Sequence, residues 1–230
     1  MNGKRKCFSL VWKVILLLFC TYGLLDGAGI LSGAYTPDFP HMFTNVSNLF
    51  AWGYFFCAVL HTLRGRGPGI RNLTGDSSRT FAPAVKYTAT VSLLVTMLIA
   101  HFMLFDAMFR GGELVWHLVI LHYVVPLMAL LDWAFFDEKG KMPLWGPVVW
   151  MSLVLAYLAF AMVYVGVFGG YMGGGTTGDI TPYPYTFLDP GLSGAGGVAA
   201  FCGAMFVLFL LLGYLLLALD RLLARFSRTD

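Results

Sequence analysis

Six long apolar runs alternate with shorter polar segments along the 230-residue chain. Each run has the roughly 20 residues that a helix needs to cross the hydrocarbon core of a bilayer. The predicted spans cover about residues 8–34, 43–63, 84–108, 114–136, 146–170 and 195–220. The first run follows a basic segment, as in a signal peptide, but it is longer and equally apolar runs follow it, so we interpret it as a retained span. The pattern predicts an all-α, polytopic integral membrane protein with a single domain over residues 1–230.

Composition and charge support this prediction. Hydrophobic side chains make up 58% of the chain and charged ones 12%, about half of the ~25% that is usual in soluble domains. Lys and Arg gather in the segments on one side of the predicted spans, whereas Arg110 falls on the other side. By the positive-inside rule, both termini are expected in the cytoplasm. The net charge of +3 then reflects topology and indicates no nucleic-acid partner.

A polar stretch opens the second span. In HMFTNVSNLFAW, residues 41–52, the side chains of Thr44, Asn45, Ser47 and Asn48 interrupt an apolar run. One interpretation is structural: Thr44 caps the helix N-terminus and its neighbours solvate the helix start. The other is chemical, because Thr44, Ser47 and Asn48 share one helix face. A hydroxyl beside amide donors is what a nucleophile with an oxyanion site needs.

Ionisable side chains inside membrane spans are costly and therefore indicate candidate functional sites. The sequence offers Asp26, His61, His101, His117, His122 and Asp132. The predicted topology puts three of the histidines in the outer half of the membrane with Thr44, where one polar pocket would collect them. These three are His101, His117 and His122, and the first two are candidates for substrate binding.

His122 is the candidate general base, because a neutral imidazole accepts a hydroxyl proton. The alternative is a histidine that bridges two helices by hydrogen bonds. Counting inward from the span ends leaves a depth mismatch of roughly 3 to 8 Å between Thr44 and His122. Asp132 lies ~15 Å along the helix axis from His122, so we expect it to be a structural partner or an interfacial anchor. Pro126 is expected to kink the fourth span and to free a backbone carbonyl for a neighbour.

A catalytic triad would need a carboxylate from elsewhere in the chain. Asp132 is too far from His122 along the helix to orient it directly. The sequence does not indicate which acidic residue toward the outer side would do so. The candidates are Asp26, Asp106, Glu113, Asp179 and Asp189.

The outer segment before the last span contains TPYPYTFLDP. Its Tyr183 and Tyr185 allow two interpretations. They are either part of an aromatic belt at the bilayer interface or part of a lid that contributes to substrate binding.

Three short motifs in this order resemble the androgen-induced-protein family of six-span membrane proteins, and in particular its bacterial branch. They are FTNVSNL at the head of span two, LHYVVPLMALLDW in span four and YPYTFLDP before span six. The resemblance implies a threonine hydrolase that cleaves fatty acid esters of hydroxy fatty acids, with Thr44 as nucleophile and His122 as base. It also implies a bacterial inner-membrane protein with a lipid ester substrate and no cofactor. The long Gly-rich outer segment is a departure from the animal members.

Other functions are compatible with the same residues. A b-type haem protein would use His101 with His122 or His117 as axial ligands. A small-solute transporter or binding protein would use the same outer cavity, although no inverted repeat is detectable. A structural or signalling membrane protein is a further alternative. The four cysteines show no CxxC spacing, so the sequence predicts neither a metal site nor a disulfide framework.

Overall fold

The computed structural model describes residues 3–64, 80–172 and 181–226. Within these ranges, six helical segments are long and apolar enough to cross a membrane, which confirms the prediction of an all-α chain with six candidate membrane spans. Within the described ranges, the regular structure outside helices is one short hairpin of strands Phe109–Arg110 and Glu113–Leu114. The helices are α1 (Gly3–Gly27), α2 (Phe43–Leu63), α3 (Pro83–Met103), α4 (Trp116–Val119), α5 (Val125–Phe136), α6 (Gly146–Trp150), α7 (Ser152–Gly166) and α8 (Pro190–Phe226).

Several predicted boundaries are wrong, and glycine explains one of them. The first span ends at Gly27 rather than residue 34, because Gly29 and Gly33 adopt positive φ angles of 72° and 71° and turn the chain. The last helical segment, Pro190–Phe226, is broken at Gly194, where φ is 69° and ψ is 155°, so its long part begins after Gly194, as predicted from the sequence. The third span ends at residue 103 rather than 108, and the fifth ends at 166 rather than 170.

Helix α3 lies at the centre of the bundle. It contacts α2, α5, α6, α7 and α8. Of its most apolar stretch, 72% is buried, against 22% for α1 and for α8, so these two helices present most of their surface outward. This position explains the composition of α3, because hydroxyl side chains at Thr90, Ser92 and Thr96 face protein rather than lipid.

A buried ion cluster joins three helices at one end of the bundle. Asp132 of α5 accepts from the ammonium of Lys13 in α1 at 2.7 Å and from that of Lys86 in α3 at 2.5 Å. Lys86 also pairs with Asp137 at the end of α5. Asp132 is fully buried and Lys86 is 1% exposed. The interpretation of Asp132 as a structural partner is confirmed, whereas its two lysine partners, Lys13 and Lys86, were not singled out from the sequence.

A second polar network ties α8 to the same end. The Tyr87 hydroxyl donates to Asp220 of α8 at 2.8 Å and accepts from the indole N–H of Trp133 at 2.7 Å. The other Asp220 oxygen accepts the backbone N–H of Gly140 at 2.7 Å. The charged groups of Lys13, Lys86, Asp132 and Asp220 therefore each have a partner, which is the condition for burying them.

We expect Asp132→Asn to destabilise the protein strongly. The amide cannot neutralise Lys13 and Lys86, which would remain buried without their shared carboxylate. Breaking a buried ion pair from one side costs about 3–5 kcal/mol. Equilibrium unfolding in detergent would measure the loss.

The matched control is Glu138→Gln, which removes a carboxylate from the same segment. Glu138 pairs with Lys141 at 3.9 Å, and both side chains are about a third exposed. Such exposed pairs contribute little to stability. Equal, small effects of the two substitutions would contradict the assignment of the cluster as a structural element.

Candidate functional site

The fourth span contains a π-helical turn between α4 and α5, over Ile120–Val124. The N–H of Val125 bonds to the carbonyl of Ile120, five residues back, and Pro126 has no N–H to offer. The carbonyl of Leu121 is thereby left without a helical donor. The side-chain amide of Asn48 in α2 donates to it at 3.1 Å. The expectation that Pro126 frees a carbonyl for a neighbouring helix is confirmed.

His122 lies on this π-helical turn, where it is 7% exposed. Its Nδ1 is 2.8 Å from the carbonyl oxygen of Leu118. A carbonyl only accepts, so Nδ1 carries the ring proton and Nε2 of the neutral ring is an acceptor. Nε2 lies 3.0 Å from Oγ1 of Thr44. The Thr44 hydroxyl therefore donates to His122, and the depth mismatch considered from the sequence does not prevent their contact.

Thr44 lies in the first turn of α2 and is not its N-cap. The helix begins at Phe43, and Met42 is the N-cap, without a side-chain hydrogen bond. The capping interpretation of Thr44 is therefore wrong. Thr44 is 9% exposed, so its hydroxyl is directed into the protein rather than toward water.

The other polar residues of the stretch hold Thr44 in place. Ser47 contacts the Thr44 carbonyl at 3.0 Å and the hydroxyl of Thr96 in α3 at 2.9 Å. The Asn48 amide donates to the Thr44 carbonyl at 2.8 Å as well as to Leu121. Asn45 donates to the carbonyl of Phe39 at 2.6 Å. The amide groups of Asn45 and Asn48 are thus engaged with backbone carbonyls, and neither residue lines the pocket described below.

Tyr185, in the segment before α8, reaches the start of α2. Its hydroxyl oxygen accepts the N–H of Phe43 at 3.0 Å, and its side chain lines the same pocket as Thr44. The ring stacks on Phe187 with 5.0 Å between the ring centroids. Burial raises the pKa of the Tyr185 hydroxyl, so the phenol keeps its proton at neutral pH.

A pocket begins at this group of residues and runs along α3, α7 and α8. It contains about 740 Å³ of empty space, counted out to its open side. Thr44, His122 and Tyr185 line it together with mostly apolar side chains. Among these are Ile99, Leu104, Val154, Leu158, Phe201 and Met205. Leu155 and Phe206 also line it and are 41% and 36% exposed, so the pocket opens between α7 and α8 on the apolar outer surface of the bundle.

Two predicted substrate-binding histidines do not reach this pocket. His101 is exposed, and its Nδ1 lies 3.0 Å from the Tyr123 hydroxyl. The Nδ1 of His117 lies 3.1 Å from Asp26, which joins α4 to α1. The idea of one pocket collecting three histidines is therefore wrong. His101 and His117 each have their own partner, and both ring nitrogens of His122 are engaged.

Tyr183 and Tyr185 have separate roles. Each is 7% exposed, so neither is an interfacial anchor. Tyr185 lines the pocket. Tyr183 packs against the end of α7, where its hydroxyl oxygen would lie 3.3 Å from a Cβ atom added at Gly166. Residues 173–180, which include the candidate carboxylate Asp179, lie outside the described residues.

No carboxylate within the described ranges orients His122; the Leu118 carbonyl does so. Asp26 is engaged with His117, and Asp189 binds the Thr181 hydroxyl and the N–H of Gly191. The role of Leu118 was missed, although its position four residues before a histidine in a helix was a usable signal. Within the same ranges, no three His, Cys, Asp or Glu side chains are grouped as metal ligands.

We expect Asn48→Leu to lower the stability of the protein, because the carbonyls of Thr44 and Leu121 would both lose a buried donor. An unsatisfied buried polar group costs about 1–3 kcal/mol. Detergent unfolding curves would measure this loss. The matched control is Asn45→Leu, since Asn45 is half-buried and bonds one carbonyl. A larger effect at Asn45 than at Asn48 would contradict the assigned role.

Comparison with known proteins identifies no relative of this chain. No protein-family model matches the chain, and neither a curated protein nor a solved structure matches it. The chemistry of the site is therefore inferred from its own geometry.

Proposed function

We propose that the protein is an intramembrane hydrolase that cleaves lipid esters, with Thr44 as nucleophile and His122 as general base. The observation that carries this proposal is the 3.0 Å contact between Thr44 Oγ1 and His122 Nε2 at the wall of an apolar pocket. The Leu118 carbonyl fixes the tautomer in which Nε2 accepts. A nucleophile, a base and a group that orients the base are the parts of a hydrolytic triad, here with a carbonyl in the third place.

The reaction follows from these positions. Nε2 of His122 takes the hydroxyl proton of Thr44, and Oγ1 attacks the ester carbonyl carbon to form a tetrahedral oxyanion. Collapse breaks the bond to the ester oxygen, and the imidazolium returns its proton to the leaving alcohol. Water then attacks the threonyl ester with the same base, which releases the acid and restores Thr44.

Tyr185 and the start of α2 are the groups best placed to stabilise the oxyanion. The Tyr185 phenol keeps its proton and lines the pocket together with Thr44, and its oxygen accepts from the N–H of Phe43. The N-terminus of α2 adds the positive end of the helix dipole. The amides of Asn45 and Asn48 are unsuited to this role, because backbone carbonyls already engage them.

The shape of the pocket supports a lipid substrate. Its walls are apolar and its opening lies between α7 and α8, so an acyl chain can enter sideways from the bilayer. The resemblance to the androgen-induced-protein family supports fatty acid esters of hydroxy fatty acids as the class to test first. The distribution of basic residues supports a bacterial inner-membrane orientation with both termini in the cytoplasm and Thr44 toward the outer side.

We expect Thr44→Ala and His122→Ala each to lower ester hydrolysis by about 10³-fold or more, as is usual when a nucleophile or its base is removed. Thr44→Ser keeps the hydroxyl and should keep measurable activity. Intact-protein mass spectrometry with an ester-directed electrophile should show one adduct, mapped to Thr44 and lost in His122→Ala.

Size-exclusion chromatography and circular dichroism establish that each variant is folded. Full hydrolysis by folded Thr44→Ala or His122→Ala protein would refute the proposal. An adduct at a different residue would refute the assignment of Thr44 as the nucleophile.

We expect Tyr185→Phe to lower kcat by about 10²-fold with little change in KM, because the phenol contributes to the transition state rather than to binding the acyl chain. Tyr183→Phe is the matched control. Tyr183 is equally buried and two residues away, but it does not line the pocket. Equal kcat losses in the two variants would indicate a general packing effect and contradict the role of Tyr185.

A further inference from the structure

A groove lies at the opposite end of the bundle from the pocket, between the last turns of α8 and the loop that follows α5. Gly140, Arg221, Ala224 and Arg225 line it. It contains about 430 Å³ of empty space, counted out to its open side. None of these residues takes part in the proposed hydrolysis.

The loop is fixed against α8 at Gly140. This residue has a positive φ of 75°, and a Cβ atom there would lie 2.8 Å from the Cβ of Ala224. Its N–H donates to Asp220 at 2.7 Å. A glycine is therefore required for this close approach, which holds the loop against α8 beside the groove.

The two arginines stand four residues apart on one face of α8, and both are exposed. In the part of the chain that the structure describes, neither guanidinium has a hydrogen bond or an ion pair. Like charges at this spacing repel each other. The adjacent carboxylate of Asp220 attracts Arg221, but it is fully buried, and within the described residues its hydrogen bonds go to Tyr87 and Gly140 and not to a guanidinium group.

The C-terminal end of a helix favours nearby cations, which explains a basic residue at Arg225. This preference does not explain why a groove lies between two guanidinium groups that have no hydrogen bond or ion pair within the described residues. Guanidinium forks match the oxygens of a phosphate group, and basic grooves at the cytoplasmic end of membrane helices suit anionic headgroups. Leu222 and Leu223 beside the arginines are 47% and 37% exposed, so an acyl chain has an apolar surface next to the groove.

We infer that Arg221 and Arg225 bind a phosphate group in this groove, supplied by the headgroup of an anionic phospholipid. The inference does not depend on the proposed hydrolase activity. An anion held between the two guanidinium groups removes their repulsion and anchors the end of α8 to the membrane surface.

The test is native mass spectrometry of the full chain, released from detergent after titration with phosphatidylglycerol or with phosphatidylcholine of the same acyl chains. Wild-type protein should retain phosphatidylglycerol in preference to phosphatidylcholine. The double variant R221Q/R225Q should bind it about tenfold more weakly, as expected for the loss of charge-assisted contacts. The matched control is Arg64→Gln, an exposed arginine at the end of α2 that does not line the groove, and it should behave as wild type.

A second measurement uses wild-type protein alone and does not depend on the folding of a variant. Inorganic phosphate should displace phosphatidylglycerol at concentrations where chloride of the same ionic strength does not. Equal retention of the two lipids, or equal binding by the double variant and Arg64→Gln, would overturn the inference. Arginine-dependent binding of inorganic phosphate without preference for phosphatidylglycerol would support the phosphate site and overturn the lipid as its source.

Discussion

Pro126 cannot donate a backbone hydrogen bond, and the candidate site is built around that loss. The fourth span passes the proline through a π-helical turn, which leaves the carbonyl of Leu121 open to the amide of Asn48. The same turn carries His122, whose ring is oriented by Leu118. Since Asn48 also holds the Thr44 carbonyl, a single carboxamide fixes the start of α2 relative to the turn. The contact between hydroxyl and imidazole thus depends on backbone groups in two helices.

The two ends of the bundle contain different kinds of polar interaction. At one end, Thr44 and His122 share a hydrogen bond and line an apolar pocket with Tyr185. At the other end, Lys13, Lys86 and Asp132 form an ion cluster shielded from lipid. The neutral imidazole of His122 is the form that accepts a proton. The ion cluster joins α1, α3 and α5, and of these three helices α3 also lines the pocket.

Much of the architecture could be predicted from the sequence, because span length and hydropathy are properties of single segments. Thr44 and His122 could be singled out, since a polar cluster at a helix start and a histidine inside a span are both costly in lipid. The partners of each group could not be assigned. His117 faces Asp26 and His101 faces Tyr123, and these choices follow from helix rotation, which a hydropathy pattern does not determine. Lys13 could not be identified in this way, because one lysine hardly changes the mean hydropathy of the long apolar run that forms the first span. Leu118 acts through its backbone carbonyl, so its side chain gave no signal and only its position four residues before His122 could have identified it.

The central position of α3 has a consequence for how the chain is made. Lys86 is carried into the membrane with the third span, but its partners Asp132 and Asp137 belong to a later one. Translation supplies α2 first, and it packs on α3 but offers no carboxylate to Lys86. An unpaired lysine in lipid is costly, so Lys86 acquires its buried partners only once α5 has been made. The ion cluster is complete only when α1, α3 and α5 are all present.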